Sequence, residues 1–276
     1  MSGSLTLCGT PIGNLSDLSE RVITTMRNAD LIFAEDTRRT AKLLAHLGIS
    51  VPMKSFFAGN EKARLKLLRD EFGAGKNIVL VSDAGMPLIS DPGASAVQVA
   101  VDCGAVVGVV PGPSAVVTAL AVSGFDGDRF IFEGFLPRKG DARTRVLLSF
   151  VDEQRTVVLF AAPSRVAADL ADLVSVVGSD RRVVVTRELT KIYEEIWRGT
   201  LVEAAAHWAH DGTTKGEFTV VVEGAEPHEP SMPDAVAAAL EMITRGTSTS
   251  DAVRAVTATH GVRRNELYDR VVKART

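Results

Sequence analysis

Cysteine is nearly absent from these 276 residues. The only two, Cys8 and Cys103, lie in apolar runs, which excludes a disulfide framework and fits a reducing, cytoplasmic setting. Surplus positive charge is missing too: 31 Lys+Arg against 34 Asp+Glu leave −3, so no global field gathers nucleic acid. A leader-like segment is not expected, because the first apolar stretch, Leu5 to Cys8, is far too short for a signal-peptide core. Charge is absent from 103 to 125, a length that could span a bilayer. Pro111 and Pro113, set among Gly104, Gly108, Gly112 and Gly124, would break a helix in lipid. That run reads instead as a buried strand, a tight loop and a buried helix, and no membrane association is expected. What is plentiful is apolar residue, 46% against 24% charged. That supplies a large core for about two domains and excludes wholesale disorder.

Several familiar motifs fail on inspection. Gly73-Ala74-Gly75-Lys76 lacks the upstream glycine of a phosphate loop, has Asn77 in place of Ser/Thr, and precedes a strand; it reads as a helix C-cap with turn glycines. Gly9-Thr10-Pro11-Ile12-Gly13 has proline where a dinucleotide fingerprint needs glycine. Gly112-Pro113-Ser114-Ala115 is not a nucleophile elbow. His207 and His210 stand i, i+3 beside Trp208 with no evident third ligand, so a packed amphipathic helix is expected rather than a metal site.

The first half alternates strand and helix. Leu5–Cys8, Leu31–Ala34, Ile78–Val81 and Val106–Val110 are near-continuous apolar strands, with helices after Asp17 (paired with Glu20 as a cap), from Lys42 to Leu47 and from Glu61 to Phe72. This predicts a parallel sheet covered on both faces. Later candidates, Phe130–Phe132, Thr156–Phe160, Arg182–Thr186, Glu194–Trp197 and Phe218–Val222, are spaced for hairpins and a mixed sheet. The expected division is an N-terminal α/β domain over 1–123, a second over 124–226, and a proline-rich linker with a helical extension over 227–276. In the extension Ser250 is the expected cap of one helix and Gly261 the turn into another. From 241 onward seven Lys/Arg meet four Asp/Glu, a local +3.

Three strand ends carry unusual loops: Gly9–Asn14, Ser82–Gly93 and Pro111–Ala115. In open α/β sheets ligands sit beyond the carboxyl ends of strands. Glycines let backbone approach a ligand, and prolines hold loop shape. Such backbone suits an adenosine and an amino-acid group, with Asp83 as an acceptor for a ribose or an ammonium. Tight βα turns also favour these residues, but three on one edge point to a site.

These loops, with Glu35-Asp36-Thr37-Arg38-Arg39, Phe132-Glu133-Gly134-Phe135-Leu136-Pro137-Arg138-Lys139, Arg187-Glu188-Leu189-Thr190-Lys191 and Lys215-Gly216-Glu217-Phe218, closely resemble the bacterial small-subunit ribosomal RNA methyltransferases of the tetrapyrrole (corrin/porphyrin) methylase superfamily. The resemblance covers 5 to about 224; the extension matches less well. It implies two α/β domains of tetrapyrrole-methylase type, a homodimer, and S-adenosylmethionine in the cleft between domains. It further implies 2'-O-methylation of a cytidine ribose in the decoding region of 16S rRNA, with 16S rRNA or the 30S subunit as partner. By motif position the cofactor contacts are Pro11, Asp83, Gly85, Met86, Ser114, Ala115 and Ala162. Two positions depart from the family pattern. Met86 stands where Thr is usual, and Phe160-Ala161-Ala162-Pro163-Ser164-Arg165 stands for Tyr-Glu-Ser-Pro-His-Arg. The second change removes a carboxylate and an imidazole, so neither is essential here unless another residue substitutes.

A ribose hydroxyl is a weak acid, and a carboxylate near it could take its proton. Glu35 and Asp36 are the candidates; a helix cap with a salt bridge to Arg38 or Arg39 is the competing role. For RNA, Arg38, Arg39, Lys42, Arg138, Lys139, Arg143 and Arg145 could meet phosphates, Arg143 and Arg145 being the best suited to a merely solvated face. The extension resembles a helix-turn-helix or a packing element. Two other functions stay open: methylation of a tetrapyrrole precursor, and a catalytically inactive ribosome-binding factor. No metal ligand set is evident.

Overall fold

The computed structural model describes residues 3–210, 212–226 and 231–275. They form two compact units, 1–225 and 226–276.

The larger unit holds two five-stranded sheets. The first contains β1 (Ser4–Cys8), β2 (Leu31–Ala34), β3 (Met53–Ser55), β4 (Asn77–Val81) and β5 (Val106–Val110), all parallel, in the order β3-β2-β4-β1-β5. Its apolar runs bury alternate residues on opposite faces, as a parallel sheet between helices requires. Leu5, Phe33 and Leu80 pack with α3 (Glu61–Gly73) and α4 (Ala94–Asp102), whereas Cys8, Ile32 and Val79 pack with α1 (Glu20–Arg27) and α2 (Thr37–His46). Cover fails only at the edge. Val106, Val107 and Val109 of β5 are exposed, contrary to the expectation of burial on both faces. β3 is an element that the sequence pattern did not reveal.

The second sheet runs β6 (Phe130–Phe135), β7 (Thr156–Ala161), β10 (Phe218–Val222), β8 (Arg182–Arg187), β9 (Glu195–Thr200), in that spatial order. β6 and β7 are parallel and the remaining pairs antiparallel, so the sheet is mixed as expected. One face packs on α6 (Asp141–Ser149), α7 (Val166–Val177) and α8 (Leu201–His210), with Trp208 fully buried. The other face, through Val158, Val184 and Val221, packs on Val116, Ala119 and Leu120 of α5 (Ala115–Ser123) and on Ile12. The last helix of the first half therefore seals the second sheet.

Caps differ from expectation in two places. Leu15–Asp17 is a 3-10 turn, and Ser19, not Asp17, caps α1, its hydroxyl accepting from the Val22 N–H at 3.3 Å. α3 ends at Gly73 with Ala74 as its C-cap and Gly75, φ +75°, in the turn, so the stretch is a helix end as read from the sequence. In the smaller unit α9 (Met232–Thr244), α10 (Thr249–His260) and α11 (Arg264–Arg275) enclose Ala239, Val253, Val256, Leu267 and Val271. Ser248 caps α10, accepting from Asp251 N–H at 3.2 Å, and Ser250 lies inside the helix. Gly261, with φ +64°, turns the chain toward α11. The linker at 227–230 lies outside the described residues.

Candidate functional site

β1 lies between β4 and β5, so the loops leaving their carboxyl ends are neighbours. Thr10 and Gly85 exchange two backbone hydrogen bonds at 2.9 and 3.1 Å, and the Thr10 hydroxyl donates to the Ser82 carbonyl at 3.2 Å. Gly9 lies against Gly112 so closely that a Cβ on Gly9 would be 2.6 Å from the Gly112 Cα. The Gly112 N–H points at the Met86 sulfur at 3.3 Å. The middle loop is strained: Gly85 has φ +77°, and Leu88 and Ser90 lie in the left-handed region at +75° and +64°. Strain of this kind persists where the surroundings over-determine it, commonly at ligand sites.

Motifs from the second half close over these loops. The Glu188 N–H donates to the Glu217 carbonyl and the Glu217 N–H to Glu188 Oε1, both at 2.9 Å. Lys191 Nζ is shared between Glu188 at 2.7 Å and Glu217 at 3.0 Å. A Cβ on Gly13 would lie 2.4 Å from Lys191, so only glycine allows that approach.

Two adjoining clefts result, with Ile12, Ala84 and Glu217 common to both. The larger is about 300 Å³, within the size range of small-molecule sites. Gly85, Met86, Ser114, Ala115 and Ala162, five of the expected cofactor contacts, line it. Pro11 and Asp83 line the smaller, about 230 Å³, together with Arg39. The seven expected contacts are thus brought together but divided over two chambers. Phe135 and Phe160 supply apolar wall from the second sheet.

The carboxylates differ sharply. Asp36 caps α2: its Oδ1 accepts from the Arg38 N–H at 2.8 Å, and both its oxygens bind the Arg38 guanidinium. The Arg38 contacts hold its carboxyl far below the usual range, so it is a poor proton acceptor. It is held in the helix cap and salt bridge that form its competing role. Arg38 is spent on the same pair although its side chain is 88% exposed. Burial raises the Glu35 carboxyl, which accepts from the Asp83 N–H at 3.4 Å. Asp83 accepts from the Asp36 N–H at 2.9 Å and lies 3.6 Å from Arg39. Arg143, read as a possible phosphate contact, is buried and bound to Asp169, Asp172 and the Pro137 carbonyl at 2.7–2.9 Å; it is structural. Arg138 and Lys139 are exposed, on the loop after β6.

One residue was missed. Asp91 lines the larger cleft, and its carboxyl is pushed up to about 6, chiefly by burial and next by the charge of Glu35. The sequence offered only its membership of the middle loop. His207 stacks on Trp197 at 5.8 Å and meets Trp208 edge-on, as a packed helix would have it. Among the described residues no group of three potential metal ligands occurs.

A parallel sheet with ligand loops on its carboxyl rim, joined to a mixed sheet across a cleft, defines the class of two-domain methylases. The family model for tetrapyrrole (corrin/porphyrin) methylases matches residues 4–205. A protein of Mycobacterium tuberculosis called ribosomal RNA small subunit methyltransferase I is 44% identical over 99% of this chain and 96% of its own. One of the same name from Thermotoga maritima is 47% identical over 81% of this chain and all of its own length. Among solved structures, a cobalt precorrin-4 methyltransferase superposes with TM-score 0.61 at 18% identity, covering 80% of this chain and 94% of its own. A Thermus thermophilus uroporphyrin-III C-methyltransferase, solved with S-adenosylhomocysteine, gives 0.57 at 17%, covering 79% and 97%. The chain belongs to the tetrapyrrole (corrin/porphyrin) methylase family, and within it to the group of small-subunit ribosomal RNA methyltransferase I proteins.

Proposed function

We propose that this protein transfers a methyl group from S-adenosylmethionine to the 2'-oxygen of a cytidine ribose in the decoding region of 16S rRNA, in the cytoplasm and as a homodimer. The observation that carries the reading is the convergence of three glycine- and proline-rich loops on one rim, under motifs from the second sheet. The residues fit the donor: Gly85 exposes backbone, Gly9 and Gly112 leave no side chain in the way, and Met86, Phe135 and Phe160 make a partly apolar wall. No helix among the described residues is long and apolar enough to cross a membrane.

When bound, S-adenosylmethionine supplies a methyl group activated by its positively charged sulfur. The chain's residues do the rest. The rim loops fix the donor in line with the incoming oxygen, which removes much of the entropic barrier. The aromatic wall excludes water, and a charge that is cancelled during transfer gains from such a site. Asp91, at the cleft and with a pKa near physiological pH, takes the proton of the 2'-hydroxyl. Glu35 raises the basicity of Asp91 through its charge and accepts from the Asp83 N–H. Pro11 and Asp83 contact the donor from the smaller chamber.

The test is methyl transfer from labelled donor to 30S particles, naked 16S rRNA and a porphyrinogen, with ribose methylation mapped in cells with and without the protein. Transfer to a cytidine 2'-oxygen is expected. Transfer to the porphyrinogen alone, or donor binding without turnover on any of the three, overturns it.

A further inference from the structure

Phe135 and Ala162, which line the larger cleft, also line a further cavity of about 600 Å³. Its other residues are Leu136, Arg138, Ser164, Arg165 and Asp169. Three features give it a chemical character. Phe135 is 55% exposed, its ring tilted against Phe160 at 5.5 Å; a half-free aromatic face is a stacking platform for a base. Arg138 is exposed, and among the described residues its guanidinium has no hydrogen-bond or ion-pair partner. Arg165 is held over the cavity: its Nη2 donates to the Arg138 carbonyl at 3.3 Å and lies 3.4 Å from Asp169 Oδ1. Its Nε is buried without an acceptor, a condition native structures avoid unless a ligand or water completes it.

Asp169 does not cancel this positive character, because Arg143 neutralises it at 2.8 Å. The same Arg143 donates to the Pro137 carbonyl at 2.9 Å. It thereby fixes the strap before Arg138 to the helix carrying Asp169, and acts as a positioning residue.

We propose that this cavity receives the acceptor nucleotide of an RNA strand. The base lies against Phe135, and the adjoining phosphate is held by Arg138 and Arg165, with the Ser164 hydroxyl within the same wall. The ribose then falls at the border formed by Phe135 and Ala162, beside the donor cleft. This rests on the reading that an RNA ribose is the acceptor.

The experiment uses the full-length protein saturated with S-adenosylhomocysteine and the probe cytidine 3',5'-bisphosphate, followed by calorimetry and NMR up to millimolar concentration. Arg138→Ala and Arg165→Ala should each weaken the probe about tenfold, the effect of losing a charge-assisted contact. They should raise the KM for 30S particles with kcat nearly kept, and leave S-adenosylhomocysteine affinity unchanged. Arg69→Ala, on the exposed side of α3, removes one charge elsewhere and should change nothing. Arg138→Ala keeps the test decisive if Arg165→Ala unfolds, since among the described residues the Arg138 guanidinium has no hydrogen bond or ion pair to lose. Absence of probe binding to the native protein, or binding to both variants as tight as to the native protein, overturns the pocket. Methylation of 30S with an unchanged KM in both variants also overturns it while leaving the proposed function standing. Probe binding that both variants lose, in a protein that methylates no ribosomal substrate, supports the pocket and sinks the function.

Discussion

Asp91 carries the clearest consequences at the scale of single residues. A carboxyl raised to about 6 in the folded chain and near 3.8 when unfolded favours the native state while protonated. That contribution is fully present below about pH 4 and is lost as pH rises through 6. Asp91→Asn should therefore stabilise the protein at pH 8, by about 1 kcal/mol after allowing for partial exposure, and lower kcat by about 10²–10³ with donor binding kept. In the native enzyme the rate should rise with pH to a plateau above Asp91's pKa, a profile that Asp91→Asn abolishes. Retained kcat in Asp91→Asn would assign the proton to another group, with Glu35→Gln the next variant to measure. Cys8 provides a separate check. Burial pushes its thiol up to about 12, so it should resist thiol reagents in the native state, while half-buried Cys103 reacts first.

Among elements, the three rim loops depend on the mutual contact of Gly9 and Gly112. Gly112→Ala places a methyl 2.8 Å from the Gly9 Cα, and backbone cannot yield as a flexible side chain can. It should cost about 1–3 kcal/mol and remove donor binding in calorimetry, with the helical content of the circular dichroism spectrum kept. Arg143→Ala should cost about 3 kcal/mol in a denaturant titration, because buried Asp169 loses its closest partner and keeps only Arg165 at 3.4 Å. An exposed phosphate contact would cost almost nothing. That contrast marks where sequence reasoning stops. Strands such as Leu31–Ala34 and Phe218–Val222 are legible because an unbroken apolar run between turn signals has few other uses. The rim loops are legible because glycine and proline there restrict backbone directly. Three-residue β3 carries too little pattern, and Ser19 competed with Asp17 for one cap. Whether an arginine is buried, as Arg143 is, or a carboxylate faces a cleft, as Asp91 does, depends on partners distant in the chain. The letters at Asp36 allow either a base or a helix cap, and the cap with its Arg38 contact is what the fold forms.

For the whole molecule, the extension and the open sheet edge set separate questions. The Thermotoga maritima relative aligns over its full length with 81% of this chain, leaving a remainder about the size of the 226–276 unit. Deleting 231–276 should accordingly keep donor binding, while the local excess of Lys/Arg makes weaker RNA binding the expected result; unchanged affinity for RNA would remove that role. The edge is argued from exposed surface. Val106 and Val109 of β5 are 68% and 52% exposed, and Val101 and Val117 are exposed as well. An edge strand with free backbone groups and apolar side chains is an aggregation hazard unless something covers it. In the proposed homodimer a second copy of the chain would be that cover, since an isologous contact buries the same patch twice. Sedimentation should find a dimer at micromolar concentration. Val106→Lys with Val109→Lys should shift it to monomer without loss of thermal stability in the monomeric fold, because these side chains contribute nothing to its core. A dimer that survives both lysines would place the interface elsewhere and leave β5 to a different partner.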